Sequence, residues 1–407
     1  MRALLRPEIL ETREGSEAEA ILRSCVHCGF CNATCPTYQL LGDERDGPRG
    51  RIYQIKSLLE GETITAETAG HLDRCLGCRA CETTCPSGVQ YGRLLDYARP
   101  LVDAAVPRTP AARARRWLLR RLIPSGAFPV LLKIGQRLRP LLPAALARLV
   151  PVQRPAAAWP QRVHSIRYLA LDGCVQEAAR PSINAAAARV LDRNGISLVR
   201  VSGGGCCGAL AYHLGAHEEA RDCARRNIDA WWPQLRDGAH GIFSASSGCS
   251  PMLKDYAELL RDDPAYAERA RQVAARVRDA TELVTPSLAA RSGGPAPVVA
   301  VQAPCSLQHA LRGGGRMEAV LAASGCAVQT PADSHLCCGS AGTYSILQPA
   351  LAGQLLERKL DALMAAQPQV IASSNIGCML HLEKVAQVPV RHWLEIIDQQ
   401  QSGIATD

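Results

Sequence analysis

The sequence predicts a multidomain protein, a small α-helical domain followed by one α/β domain built twice, and three observations predict it. Cys25, Cys28, Cys31 and Cys35-Pro36 form a C-x2-C-x2-C-x3-C-P run, and Cys75, Cys78, Cys81 and Cys85-Pro86 repeat it 50 residues on. The later cysteines fall into two sets at matching offsets. Cys174 to Cys305 is 131 residues, Cys206-Cys207-Gly208 to Cys337-Cys338-Gly339 is 131, and Cys249 to Cys378 is 129. Between the two patterns, residues 104–171 hold thirteen Lys or Arg and no Asp or Glu.

The two N-terminal runs have the spacing of ligands for a pair of 4Fe-4S clusters. Each cubane iron takes one thiolate, two-residue gaps let three sulfurs of one tight loop reach three irons, and the fourth Cys of a run serves the other cluster. The expected ligand sets are therefore crossed: Cys25, Cys28, Cys31 and Cys85 for one cluster, and Cys75, Cys78, Cys81 and Cys35 for the other. Zinc knuckles use two pairs separated by a long gap, and disulfides belong to oxidising compartments, so neither suits four Cys packed into eleven residues. Pro36 and Pro86 follow the last thiolate of each run, where a fixed φ and a missing N–H favour a chain exit. Between the runs Ile52, Ile55, Leu58 and Leu59 share one helical face, and no β-branched alternation intervenes. Residues 1–103 thus read as a helical ferredoxin domain with two 4Fe-4S clusters. Asp46-Gly-Pro-Arg-Gly-Arg51 reads as a turn delivering Arg49 and Arg51, which either offset the charge of a four-thiolate cluster, face an electron donor, or cap the turn.

Residues 104–163 form a basic connector rich in Pro, Leu and Arg. Outside residues 104–171 the chain has 33 basic and 38 acidic residues, net −5, so the overall charge of +8 is a property of this segment. The stretches 113–123 and 130–139 read as short basic amphipathic helices, suited to an anionic lipid face; a solvated linker and a dock for an acidic partner are the other readings. No aromatic interleaving or recognition motif points to nucleic acid. The N-terminus shows no apolar region with a cleavage site and no stretch approaches eighteen apolar residues, so a cytoplasmic protein is expected. Eighteen Cys then serve metals or redox chemistry in a reducing compartment.

The duplicated part divides into repeat 1 over 164–292 and repeat 2 over 293–407. Arg167–Cys174 matches Val298–Cys305, and Gly241–Cys249 matches Val370–Cys378, each as a buried strand running into a Cys turn. Helical runs at 182–193 and 316–323 follow the first strand of each copy. Strands alternating with helices imply parallel pairing, which puts each Cys at a strand's C-terminal end or a helix start. Four soft ligands per copy suit a further cluster or zinc: Cys174, Cys206, Cys207 and Cys249 in one, Cys305, Cys337, Cys338 and Cys378 in the other. Reduced cysteines packed as small hydrophobes are the alternative. Cys223 and Cys326 lie outside the shared pattern and read as packing residues.

The stretches 25–43, 46–52 and 71–92, with the two Cys-Cys-Gly repeats, resemble the iron-sulfur subunits of flavin-dependent hydroxyacid dehydrogenases, and in particular those of glycolate oxidases. These have a dicluster ferredoxin domain followed by two CCG (cysteine-rich) domains. The resemblance implies an electron-transfer subunit in a complex that oxidises glycolate to glyoxylate. FAD-binding glycolate oxidase subunits would be its partners and a membrane quinone its acceptor, with the chain peripheral on the inner face of the plasma membrane. The eight N-terminal Cys carry over as ligands, and no catalytic residue is expected on this chain, which lacks a strand-linked Gly-x-Gly-x-x-Gly for flavin. The equivalent subunit of a lactate or glycerol-3-phosphate dehydrogenase is the nearest alternative. A heterodisulfide-reductase-like enzyme is more distant, because its final C-x-x-C is here Cys249-Ser-Pro-Met252 and Cys378-Met-Leu-His381. His381 offers a nitrogen in its place; Met252 is a poor substitute.

Overall fold

The computed structural model describes residues 1–147, 150–152, 154, 158–290 and 296–402. The expected limit between repeats at 292/293, and the last five residues of repeat 2, lie outside them. The chain gathers into two compact units. The first holds residues 1–118 together with 210–217 and 335–359; the second holds 119–209, 218–334 and the chain from 360 on.

The N-terminal part of the first unit is helical throughout. Its main helices are Arg13–Ser24, Pro48–Glu60 and Tyr91–Ala105. Pro48 opens the second of these, where its missing N–H costs nothing, and Gly61 ends it in the left-handed conformation (φ 94°). Ile52, Ile55, Leu58 and Leu59 form the expected buried face and meet Leu22, Leu94, Leu95, Ala98 and Val102 in one core. Each such side chain contributes about 1.5–3 kcal/mol on leaving water. The short helices Phe30–Ala33 and Ala80–Thr84, one inside each cysteine run, pack on each other and bring the two runs side by side. Pro36 does not release the chain as expected: it is the first residue of helix Pro36–Leu41, which Cys35 precedes as N-cap.

The second unit contains two four-stranded parallel sheets of identical topology, each copy of the duplication supplying one. β1 (Ile166–Ala170), β2 (Ile196–Val199), β3 (Gly241–Ser244) and β4 (Val277–Asp279) pair in the order β2-β1-β3-β4. β5 (Val298–Gln302), β6 (Ala327–Gln329), β7 (Val370–Ser373) and β8 (Val390–His392) pair as β6-β5-β7-β8. Central strands β3 and β7 are buried along their whole length, as parallel strands covered on both faces must be.

The two sheets join by matching surfaces. Helix Ser182–Asp192 packs on helix Trp393–Ser402, with Ser182 donating to Glu395 (2.7 Å) and Arg189 and Arg193 both reaching Asp398. The equivalent pair, Arg316–Ala323 and Pro286–Ala289, also packs together. Between them the loops after β3 and β7 meet: Ser247 N–H donates to the Ser374 carbonyl (3.0 Å), and His392 Nε2 lies 2.9 Å from the Ala245 carbonyl.

Candidate functional site

The eight N-terminal cysteines surround two hollows in the first unit. Cys25, Cys28, Cys31 and Cys85 line one; Cys35, Cys75, Cys78 and Cys81 line the other. The second hollow draws three thiols from one run and one from the other; the first does the same once Cys81, which with Tyr91 borders both, is set aside. Local backbone conformation produces this convergence. In each run the residue before the second Cys and the residue after it are left-handed: His27 (φ 56°) and Gly29 (84°), Gly77 (64°) and Arg79 (61°). Holding His27 and Arg79 there costs about 1–2 kcal/mol each, strain of the kind that ligand loops retain.

The donor set suits a cation of high affinity for sulfur. Burial and the neighbouring thiols push Cys31 up to about 11, and Cys81 well above the usual thiol range for the same reasons. Such thiols stay protonated alone and ionise when metal binds. Four thiolates from two loops around one hollow fit a 4Fe-4S cluster.

The two hollows differ in their charged surroundings. Arg51 is buried, with a side chain 1% exposed. Its Nε donates to the His71 carbonyl (2.8 Å), Nη1 to Thr37 Oγ1 (3.1 Å) and toward Cys35 Sγ (4.0 Å), and Nη2 to Asp46 Oδ1 (3.3 Å). Arg74 binds the same carboxylate through Nε (2.8 Å) and Nη2 (3.0 Å). Burial alone would raise the Asp46 carboxyl, but Arg74, Arg51 and His71 bring it below the usual range. Arg49, in contrast, is 36% exposed and is matched by Glu44, while its Nη1 reaches the His27 carbonyl (3.3 Å). Of the readings open for this pair, Arg51 faces a thiol and Arg49 makes a surface ion pair beside the other hollow. Both lie near the start of helix Pro48–Glu60 and each also donates to a carbonyl of another loop or helix end, Arg49 at His27 and Arg51 at His71.

Repeat 1 gathers most of its predicted thiols. Cys206 and Cys249 both lie against Cys207, whose pKa these contacts and burial raise well above the usual range. Cys249 precedes helix Ser250–Lys254 as its N-cap, and Cys174 is half-buried in the turn after β1. Asn227 and Tyr256 pin the Cys-Cys backbone: Asn227 Nδ2 donates to the Cys206 carbonyl (3.0 Å) and Tyr256 Oη to the Cys207 carbonyl (2.9 Å). Cys223 is buried as expected of a packing residue, and it packs against the Cys-Cys turn. Contact with Cys206 and then burial raise its thiol, and a Cβ at Gly208 would lie 3.3 Å from its Cβ. Cys326 also packs as expected, buried beside Ser324 Oγ (3.6 Å).

Repeat 2 distributes its predicted set across both units. Cys337 and Cys338 are buried in the first unit; in the second, Cys305 precedes helix Ser306–Ala310 and Cys378 is buried within helix Ile376–Leu382, where Asn375 Nδ2 approaches its sulfur (3.4 Å). His381 is buried one turn beyond Cys378. The segment 335–359 carries a feature that sequence reasoning missed. Tyr344 Oη donates to the Arg74 carbonyl (3.1 Å), next to Cys75, and Tyr344, Leu351 and Ala352 pack with Leu40 and Leu76.

The connector forms the two expected helices, Pro110–Leu122 and Ala127–Leu138. Several of its arginines are engaged: Arg108 and Arg116 bind Asp73, and Arg120 and Arg121 approach Glu219. Exposed apolar side chains remain along the second helix, at Val130, Leu131, Ile134 and Leu138. Among the described residues no helix is long and apolar enough to cross a membrane.

Comparison with known proteins assigns these parts. A 4Fe-4S dicluster domain matches residues 21–89, and a cysteine-rich domain matches 168–254 and again 299–383. The glycolate oxidase iron-sulfur subunit of Escherichia coli (strain K12) is 47% identical over 405 residues, covering 98% of this chain and 99% of its own. Lactate utilization protein A of Exiguobacterium sp. is 25% identical over 234 residues, 56% of this chain and 94% of its own, and that of Shouchella clausii is 23% identical over 236 residues.

Proposed function

We propose, from the premise that this chain belongs to the family of glycolate oxidase iron-sulfur subunits, that it carries electrons from FAD on partner subunits, where glycolate becomes glyoxylate, toward a membrane quinone. The observation that carries this reading is the pair of crossed thiol hollows separated by Cys81 and Tyr91. When bound there, 4Fe-4S clusters supply one-electron carriers whose potentials the protein sets within roughly −700 to +450 mV.

The chain's own residues hold and insulate the carriers. Cys25, Cys28, Cys31 and Cys85 are the ligands of one and Cys75, Cys78, Cys81 and Cys35 those of the other. Tyr91, buried between the hollows, keeps water out. Arg51 directs the positive end of an N–H bond toward Cys35. Cys206, Cys207 and Cys249, with Cys174, form a candidate site for a further cluster or zinc ion in repeat 1. The domain limits 1–103, 104–163, 164–292 and 293–407 belong to the same proposal.

The membrane contact rests on the exposed apolar side chains at Val130, Leu131, Ile134 and Leu138, flanked by Lys133 and Arg137. Replacing Val130 and Ile134 by Asp should release the complex from anionic vesicles; unchanged co-sedimentation would contradict the contact.

The lactate reading keeps a place because proteins named for lactate utilization share over half of the chain. Purified alone, the protein should show reducible clusters without glycolate turnover, and glycolate oxidation should appear when flavoprotein partners are added. Turnover with lactate and none with glycolate would move the assignment to the second reading. Turnover by the isolated chain would contradict both.

A further inference from the structure

We infer that Arg51 makes the Cys35, Cys75, Cys78 and Cys81 site the higher-potential one of the pair, so that electrons enter at the Cys28 side and collect at the Cys75 side. The inference rests on the electron-carrier reading above and adds a direction to it.

Reduction adds negative charge to a cluster and its thiolates, so positive charge and hydrogen bonds at sulfur favour it. Around the second hollow this favour is buried. One carboxylate, Asp46, is shared by two guanidiniums, Arg51 and Arg74, leaving a positive excess. Arg51 Nη1 is 4.0 Å from Cys35 Sγ, and Gly77 N–H points at Cys75 Sγ (3.4 Å); Thr37, whose hydroxyl donates to the Asp46 carbonyl (2.8 Å), accepts from Arg51 Nη1 (3.1 Å) and holds it beside the sulfur. The Arg51 guanidinium is shielded from water, so little solvent screening weakens it.

Around the first hollow the charges cancel or are wet. Arg49 is matched by Glu44 and is one-third exposed. The Met1 ammonium, which donates to the Cys25 carbonyl (2.7 Å), also makes an exposed contact to the Arg23 carbonyl. Cys28 is itself exposed, and Val26 and Phe30 beside it are 66% and 62% exposed, an apolar rim open to a donor.

The exit side is marked independently of charge. Tyr344, from the segment that carries Cys337 and Cys338, touches the chain at Arg74, one residue before Cys75. Each step oxidises the Cys28 site by one electron and reduces the Cys75 site by one, with no bond or proton transferred. The donor is the reduced flavin already proposed and the final acceptor a quinone.

The test is an EPR-monitored redox titration of the anaerobically reconstituted full chain, with Cys28→Ser used to identify the signal of the first site. Wild type should give two separate one-electron waves, the upper one insensitive to Cys28→Ser. Arg51→Gln should lower the upper wave by at least a tenfold change in its reduction equilibrium, about 59 mV, and Arg51→Lys by less, since it keeps the charge. Arg49→Gln should move either wave less than Arg51→Gln moves the upper one. If Arg51→Gln fails to fold, Thr37→Val, which removes the hydroxyl oxygen that holds Arg51 Nη1 beside Cys35, should lower the same wave by a smaller amount. Coincident waves in wild type, an upper wave that responds to Cys28→Ser, or an upper wave unmoved by the Arg51 and Thr37 changes would overturn the inference. Absence of iron and sulfide altogether would instead overturn the carrier reading on which it rests.

Discussion

The two repeats share a strand order and a Cys-Cys-Gly turn, yet the turns serve different surroundings. In repeat 1 the turn lies in the second unit with Cys249, Cys223, Asn227 and Tyr256 around it. In repeat 2 it lies in the first unit, where Tyr344 reaches the cysteine run at Arg74. The glycines show that the backbones correspond. A Cβ at Gly208 would meet Ala220 and Cys223; one at Gly339 would meet Ala352 and Leu355. Cys223 in one copy therefore stands where Leu355 stands in the other. Duplication kept the turn and its packing against a helix, with Cys223 beside the turn in one copy and Leu355 beside it in the other.

The largest expected break between the copies comes from removing iron. Cys81→Ser should collapse hydrogen-exchange protection across residues 13–105 and in 335–359. The Cys206–Gly208 turn and strands β1 and β3 should keep theirs, because metal-bound loops fold with their metal. Equal loss at both turns would show that they do not belong to different units.

The equivalent strand ends, Asp279 in β4 and His392 in β8, sharpen the comparison through pH. Burial lowers His392 to about 4, so the folded state holds it neutral. Unfolded chains take up its proton below about 6.5, and its contribution, fully present above that pH, is lost as pH falls toward 4, about 3 kcal/mol in all. Burial raises Asp279, against the hydrogen bonds from Ser250 and Thr281. Its stabilising contribution is present at pH below the unfolded value and is lost as pH rises through the folded one. His392→Gln should remove the acid-side loss in denaturant titrations from pH 7 to 4, and Asp279→Asn, by removing an opposing gain on acidification, should steepen it.

Glycine replacement comes next in size. Gly339 (φ 86°) allows a Cβ only 2.6 Å from the Ala352 carbonyl oxygen, whereas Gly208 (φ 93°) allows 3.1 Å from that of Ala220. Gly339→Ala should therefore cost about 2 kcal/mol and Gly208→Ala about 1 kcal/mol, read from denaturation midpoints at unchanged slope. The smallest effect is at the contacts that follow the two turns. Tyr344→Phe should cost about 1 kcal/mol through its lost bond to Arg74. His213→Ala, whose side chain is half exposed beside Asp96 (3.3 Å), should cost about 0.5 kcal/mol.

Much of this organisation was legible in the residues, and the parts that were not share a cause. Ligand spacing announced the crossed hollows, because reach along a short loop is a local property. The 131-residue offsets announced the duplication, and apolar runs gave β1, β3, β5 and β7. Strands β2, β4, β6 and β8 are three or four residues long, and unlike the equally short β3 and β7 none runs directly into a repeated Cys turn that would mark it. Pro36 opens a helix where an exit was expected, since the fixed φ that leaves a loop also suits a first helical residue. Cys223 and Tyr344 gain their importance from neighbours distant in sequence, at Cys206 and Arg74, which no spacing rule encodes.

Anaerobic quantification of iron, acid-labile sulfide and zinc on the isolated chain, paired with EPR after reduction, tests the central claim most directly. Two clusters in the crossed hollows predict at least about eight irons and eight sulfides per chain, with iron lost on Cys81→Ser and at least about eight irons retained on Cys249→Ser. Zinc without sulfide, or iron that survives Cys81→Ser intact, would contradict it.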